Sequence, residues 1–115
     1  MRRAAASVLL AATLTGCAAR AAPSVEGLAG EWFGRVSTPR GHTVARLTIA
    51  PNGRYEGTAY FDGVDRPLHG AIVALPSGRL RYVSSEGDGT VDLDDDTLRL
   101  RGDDGATGAW FTRQP

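Results

Sequence analysis

Residues 44–60, VARLTIAPNGRYEGTAY, contain the turn that decides the fold. Within them, Pro51-Asn52-Gly53 suits a type I turn that ends in a left-handed residue, which closes a three-residue hairpin loop. Counting outward from that loop gives one apolar or small face with the pairs Ile49–Tyr55, Leu47–Gly57 and Ala45–Ala59. The opposite face has the pairs Thr48–Glu56, Arg46–Thr58 and Val44–Tyr60. The segment therefore predicts an antiparallel hairpin with one buried face and one solvent-exposed face.

The same counting applies to three later turns. Pro76-Ser77-Gly78 repeats the chemistry of the first turn and pairs Ile72 with Tyr82. A two-residue turn at 95–96 pairs Val91 with Leu100 and Leu93 with Leu98. A three-residue turn at 103–105 pairs Leu98 with Trp110 and Leu100 with Gly108, which directs Trp110 into the core.

Short alternating segments of this kind recur from Gly30 onward at the spacing of a sandwich or barrel, and none has helical periodicity. With a first strand at 30–37 there are about eight strands, and the connections are too short to cross over. We therefore expect an all-β fold, an eight-stranded antiparallel up-and-down meander that closes into a small barrel. Because the strands are short, we expect a mostly filled core built from the inward residues Trp32, Leu47, Ile49, Tyr55, Phe61, Leu68, Ile72, Leu80, Tyr82, Val91, Leu93, Leu98, Leu100 and Trp110.

The N-terminus has the order of a secretory signal peptide, with Arg2 and Arg3, an apolar run at 4–14 and then small residues. That run is shorter than the roughly 20 residues needed to span a bilayer. Residues 14–17, Leu-Thr-Gly-Cys, resemble the lipobox of bacterial lipoproteins, which implies that Cys17 is acylated and becomes the first residue of the mature chain. We therefore predict a signal peptide at 1–16, a lipid anchor and flexible tether at 17–27, and a barrel domain at 28–115.

The lipoprotein resemblance also implies a location. Ala18 follows the anchor in place of the Asp that retains lipoproteins at the inner membrane, which implies the periplasmic face of the outer membrane. In a Gram-positive cell, the outer leaflet of the single membrane is the alternative.

Composition excludes several classes of function. The 13 basic residues, all Arg, balance 13 acidic residues, so the chain lacks the basic surplus of a nucleic-acid-binding protein. The single Cys can form no intrachain disulfide and leaves no Cys/His cluster for zinc.

The sequence offers little catalytic chemistry. The spacing of a calcium loop is partly matched by Asp92, Asp94, Asp96 and Asp103. Thr97, however, stands where such a loop needs Gly. We interpret the run as a solvated acidic turn, with a weak calcium site as the alternative. His42 and His69 have no second ligand at metal-binding spacing, and the chain has no nucleophile-elbow or phosphate-loop motif. We expect no catalytic residue, no metal and no cofactor.

A family resemblance covers the barrel. Gly30-Glu31-Trp32, the Asn-Gly-Arg-Tyr hairpin and the terminal Trp110-Phe111-Thr112-Arg113 resemble the calycin plan of lipocalins, fatty-acid-binding proteins and avidins. The resemblance implies that Trp32 closes one end of the barrel, that Arg113 packs across it, and that the lumen binds a small apolar ligand. An internal cavity of roughly 300 Å³ or more would favour that function.

Two families of exported inhibitors supply a further alternative. Residues 28–32 are similar to the opening strand of bacterial inhibitors of secreted metalloproteases. Residues 77–82, Ser-Gly-Arg-Leu-Arg-Tyr, are similar to the S-G-x-x-Y loop of membrane-bound lysozyme inhibitors, with one residue too many. The disulfide of either family is excluded by the single Cys.

The predicted register leaves an outer surface of Phe33, Val44, Tyr60 and Phe111, with Arg35 and Arg46 among them. Contiguous aromatic residues with Arg are typical of protein contact surfaces. The alternative is that the tether covers them through Val25 and Leu28. The sequence thus predicts a non-catalytic binding module, anchored to the membrane through Cys17, whose partner is an envelope protein or a small apolar ligand.

Overall fold

The computed structural model describes residues 24–114, which form one short 3₁₀ helix and eight β-strands. The 3₁₀ helix spans Glu26–Leu28. The strands are β1 (Gly30–Thr38), β2 (Gly41–Ile49), β3 (Arg54–Phe61), β4 (Val64–Ala74), β5 (Leu80–Ser84), β6 (Gly87–Asp94), β7 (Thr97–Gly102) and β8 (Gly108–Arg113).

Each strand pairs with the next in antiparallel fashion, and β8 pairs with β1, so the sheet is a closed barrel. The predicted all-β, eight-stranded antiparallel meander is therefore confirmed. Closure gives every strand two neighbours, which removes the unpaired edges that an open sheet would expose.

Three hairpins have the predicted register. Ile49 lies opposite Tyr55, Ile72 opposite Tyr82, and Val91 opposite Leu100. The first loop is closed by the amide of Gly53, which donates to the carbonyl of Ala50 at 2.9 Å. Gly53 has φ +94° and Gly78 has φ +89°, the left-handed conformation that favours Gly at the end of such a turn.

The last hairpin corrects the prediction by one residue. Its loop holds four residues, 103–106, because the amide of Gly102 donates to the carbonyl of Thr107 at 2.8 Å. Leu98 therefore lies opposite Phe111, and Leu100 opposite Ala109. A shift of one residue exchanges the two faces of a strand. Phe111 is 2% exposed inside the barrel and Trp110 is 49% exposed outside it, so both predicted orientations are wrong.

One end of the barrel, here called the closed end, is sealed by the 3₁₀ helix. Leu28 is fully buried there, Val25 packs against the core and the carbonyl of Gly27 accepts from Arg113, so Val25 and Gly27 of the predicted tether contact the barrel. The opposite end, here called the mouth, is bordered by the connections at 39–40, 62–63, 85–86 and 103–106. The mouth is open, so the prediction of a mostly filled core holds only for the closed half.

Candidate functional site

The mouth leads into a cavity of about 610 Å³. The cavity wall includes the apolar and aromatic side chains of Val36, Leu47, Tyr55, Phe61, Leu68, Tyr82, Leu100 and Phe111. Charged side chains line it as well, namely Arg40, Arg66, Glu86, Asp88, Asp103 and Asp104. An apolar concave pocket with a few polar groups is the usual form of a small-molecule site, and its volume falls in the usual range of about 300–1,000 Å³.

Glycines in the wall make room for this cavity. Tyr55 lies over its cross-strand neighbour Gly70, where an added Cβ would be 2.5 Å from the Tyr55 hydroxyl oxygen and 2.7 Å from Cζ. Tyr82 covers its own cross-strand neighbour Gly89 in the same way. Each ring therefore lies along the wall, as aromatic side chains do when they cover a strand glycine. The lumen between them stays open.

Four carboxylates line one half of the mouth, here called the acidic half: Glu86, Asp88, Asp103 and Asp104. Asp104 accepts hydrogen bonds from the amides of Ala106 and Thr107, both at 2.9 Å, and from the Thr107 hydroxyl at 2.7 Å. Asp103 pairs with Arg81, the only ion pair within residues 24–114. The Arg81 hydrogen bond holds the pKa of Asp103 below its ordinary value, and the Thr107 side chain does the same for Asp104.

Two buried phenols face this acidic half. Tyr55 is 7% exposed and Tyr82 is 8% exposed. Burial, and then the neighbouring Tyr82, raises the pKa of Tyr55 to about 12. Burial also raises the pKa of Tyr82, and after it the charges of Asp104, Asp103 and Asp88. Both phenols therefore stay neutral at physiological pH and offer a hydroxyl to a ligand.

Two arginines line the other half of the mouth. Arg40 lies in the β1–β2 turn, and Arg66 on β4 lies opposite the inward residue Ala59. Within residues 24–114 neither guanidinium pairs with a carboxylate. The charged side chains that line the two halves of the cavity mouth therefore carry opposite charge.

The Trp32–Arg113 pair lies at the closed end. The Trp32 indole Nε1 donates to the carbonyl of Leu28 at 2.9 Å. The Arg113 guanidinium carbon lies 4.3 Å from the centroid of the Trp32 ring, and its two terminal nitrogens donate to the carbonyls of Ala29 and Gly27, each at 2.9 Å. A guanidinium can stack on an aromatic ring and still donate in two directions. The two side chains thus fasten the 3₁₀ helix to the barrel.

The predicted outer surface is partly rearranged. Phe33, Val44, Tyr60, Arg35 and Arg46 are exposed, but Phe111 is buried and Trp110 stands on the outside in its place. Arg35 lies opposite both Trp110 and Val44, so these three form one row across β8, β1 and β2. Leu28 is buried inside the closed end, so the tether does not cover this row through Leu28.

The residues of the predicted calcium-like run lie at opposite ends of the barrel. Asp96 belongs to the β6–β7 turn at the closed end, where its carbonyl accepts from the amide of Arg113, whereas Asp103 lies at the mouth. Within the described residues no group of three metal-ligating side chains occurs.

His42 and His69 are exposed on different strands. Tyr82 of the lysozyme-inhibitor-like stretch is buried in the lumen. Cys17 lies outside the described residues.

The carboxylates of the β7–β8 loop predict a pH dependence of stability. The pKa values of Asp103 and Asp104 are lowered from 3.8, so their contribution is complete above about pH 4 and is lost as the pH falls through the lower folded-state values. We expect the Tm of the full chain to fall more steeply below about pH 4 than that of an Asp103→Asn/Asp104→Asn variant, as measured by circular dichroism. Equal slopes would contradict this assignment.

No family model matches the chain, and neither a curated protein nor a solved structure is significantly similar to it. Across residues 24–114, helices long and apolar enough to cross a bilayer are absent. The fold and the site together define a small β-barrel with one sealed end and one open, amphipathic mouth.

Proposed function

We propose that this chain is a lipid-anchored cell-envelope protein that binds a small ligand in its barrel lumen without chemically changing it. The observation that carries the proposal is the cavity of about 610 Å³, which is twice the roughly 300 Å³ at which a lumen becomes useful for a small molecule. The surface of its wall is largely apolar and charged side chains line its mouth, which favours an apolar or amphipathic ligand.

The closed end supports this proposal. A first-strand Trp that seals one end, with an Arg from the last strand stacked on it, is the arrangement that the calycin resemblance implies. The open mouth lies at the other end of the barrel from the Trp32–Arg113 pair, so the lumen is reached from that end.

The position of the 3₁₀ helix predicts which end of an anchored barrel would lie near the membrane. The chain enters the barrel at the closed end, through Val25 and Leu28. Seven residues, 18–24, separate this entry from Cys17, and an extended chain of that length spans at most roughly 25 Å. An acylated Cys17 would therefore hold the closed end near the membrane, with the mouth at the far end of the barrel.

Filling the lumen tests the binding function. Ala109 lines the cavity on β8, and Ala109→Phe places an aromatic ring in the space that a ligand would occupy. We expect fluorescence titration with the neutral probe N-phenyl-1-naphthylamine to show affinity at least about tenfold weaker than for the unsubstituted chain. Thr48→Phe adds the same ring on the outer face and should leave the affinity unchanged. Equal binding by all three proteins would place the probe elsewhere and contradict the proposal.

Replacing the anchoring residue tests the location. Cys17→Ser removes the sulfur that acylation requires, and we expect the protein to move from the membrane fraction to the soluble fraction after cell lysis. Immunoblotting of the two fractions measures the change. Retention of Cys17→Ser in the membrane fraction would contradict the anchor.

The outer surface supports a second candidate function, recognition of an envelope protein. The supporting observation is the row of Trp110, Arg35 and Val44, with Tyr60 exposed on the next strand. Aromatic residues and Arg are enriched where protein interfaces concentrate their binding energy. Loss of partner capture in a Trp110→Ala variant that still binds the lumen probe would assign partner recognition to this surface.

A further inference from the structure

The acidic half of the mouth points to the chemical class of the ligand. We propose that the ligand carries a positively charged nitrogen, an ammonium group, which lies at the acidic half beside Tyr82 while the apolar body of the ligand occupies the cavity. This inference rests on the proposed lumen-binding function and specifies its ligand.

The first observation is the Tyr82 hydroxyl. Tyr82 is more than nine-tenths buried, yet its hydroxyl has no hydrogen-bond partner within residues 24–114 and is not enclosed by protein atoms. The side chain lines the cavity, so the hydroxyl faces its interior. A Cβ on Gly102 would be 3.2 Å from this hydroxyl oxygen and 2.8 Å from Oδ1 of Asp104, so the two oxygens flank the same point of the wall. The Tyr82 hydroxyl oxygen can accept a hydrogen bond from an ammonium group, while Oδ1 of Asp104, which already accepts the amides of Ala106 and Thr107, attracts it by charge.

The second observation is the charge around that hydroxyl. After burial, the charges of Asp104, Asp103 and Asp88 raise the pKa of Tyr82, and the charge of Arg81 lowers it, so three carboxylates and one guanidinium act on this hydroxyl. Asp103 is offset by Arg81, but Glu86, Asp88 and Asp104 have no cationic partner within the described residues. Tyr82 also presents a ring face to the lumen, since its other face covers Gly89. Carboxylates beside an aromatic face attract a cation by two independent effects.

The opposite half of the mouth orients such a ligand. Arg66 and Arg40 repel an ammonium group from their side, because neither is neutralised by a carboxylate within residues 24–114. An anionic amphiphile would bind with its charged group on the opposite side of the mouth, beside Arg66 and away from Tyr82. The Tyr82 hydroxyl, which is accessible from the lumen and makes no hydrogen bond within residues 24–114, lies beside the carboxylates and away from the arginines, which favours the cation.

The test uses three probes with the same eight-carbon chain, octylammonium, octanol and octanoate, titrated calorimetrically into the full chain produced without acyl groups. At low salt we expect octylammonium to bind about tenfold more tightly than octanol, and octanoate to bind most weakly. In Glu86→Gln/Asp88→Asn, which keeps the hydrogen bonds of Asp104 that build the 103–106 loop, this preference should shrink to about twofold while octanol affinity stays unchanged. Arg66→Gln, the matched control on the opposite half, should not weaken octylammonium binding.

The outcomes separate this inference from the function on which it rests. Equal affinity for the three probes, with binding abolished by Ala109→Phe, would overturn the ammonium preference and leave lumen binding intact. Tighter binding of octanoate, lost in Arg66→Gln, would overturn it in favour of an anionic ligand. Failure of all three probes and of N-phenyl-1-naphthylamine to bind would overturn both proposals.

Discussion

Replacing Phe111 by Ala should lower the free energy of unfolding by about 3–5 kcal/mol, whereas Trp110→Ala should lower it by less than about 1 kcal/mol. Phe111 is buried against the core and Trp110 stands half in solvent. Removing a buried ring leaves a cavity that the barrel cannot fully collapse, but removing an exposed ring does not. Urea denaturation of the full chain measures both values.

The comparison between these neighbours also tests the last hairpin. The four-residue loop at 103–106 is what turns Phe111 inward, because the amide of Gly102 donates to Thr107. A larger loss for Trp110→Ala than for Phe111→Ala would mean that the three-residue turn forms instead and that β8 has the opposite face inside.

Truncation of Trp32 should be as costly, at about 3–5 kcal/mol for Trp32→Ala. The ring is fully buried, and its indole donates to Leu28, so the variant leaves both a cavity and an unpaired carbonyl at the closed end. Trp32→Phe keeps an aromatic ring for Arg113 but loses the indole hydrogen bond, so we expect a smaller loss of about 1–2 kcal/mol. Thermal and urea unfolding distinguish the two variants.

A double-mutant cycle isolates the contact between the two side chains. For Trp32→Ala combined with Arg113→Ala we expect a coupling energy of about 1–2 kcal/mol, since the guanidinium stacks 4.3 Å from the ring centroid and also holds the 3₁₀ helix. Arg113→Lys is the matched control, because it keeps the charge but cannot donate in two directions from a planar group. A coupling energy near zero would show that Arg113 does not contribute through Trp32.

The hairpins were predictable because local turn chemistry sets their register. Pro51-Asn52-Gly53 and Pro76-Ser77-Gly78 each place Gly where the loop needs a left-handed residue, and the strand pairs follow by counting. The same counting gave the wrong register for the last hairpin, because the Asp104 side chain accepts from the amides of Ala106 and Thr107 and adds one residue to the turn. Turn residues alone do not reveal such a cap.

One signal in the sequence pointed to the correct face of β8. Arg113 must turn inward to reach Trp32, and residues two apart on a strand share a face. Phe111 shares that face and Trp110 does not, so the predicted Trp32–Arg113 pair was incompatible with an inward Trp110. Hydrophobicity could not decide between them, because both are aromatic.

The cavity was harder to predict than the strands. The inward positions include Gly70 and Gly89, and the sequence predicts that their partners Tyr55 and Tyr82 fill the lumen. Whether a ring crosses the lumen or lies along the wall depends on its contact with the neighbouring strand, which strand pattern alone does not specify. Both rings lie along the wall here, so the mouth half stays open and these two tyrosines belong to the site.

The most direct test of lumen binding is a methyl NMR titration of the full unacylated chain with N-phenyl-1-naphthylamine. Leu47, Leu68 and Leu100 line the cavity, whereas Leu98 is buried in the closed half and Val83 is exposed outside. We predict ring-current shifts at the three lumen leucines, with Leu98 and Val83 unchanged. Shifts confined to Val83 and other outer methyl groups, or no shifts at saturating probe, would contradict the account.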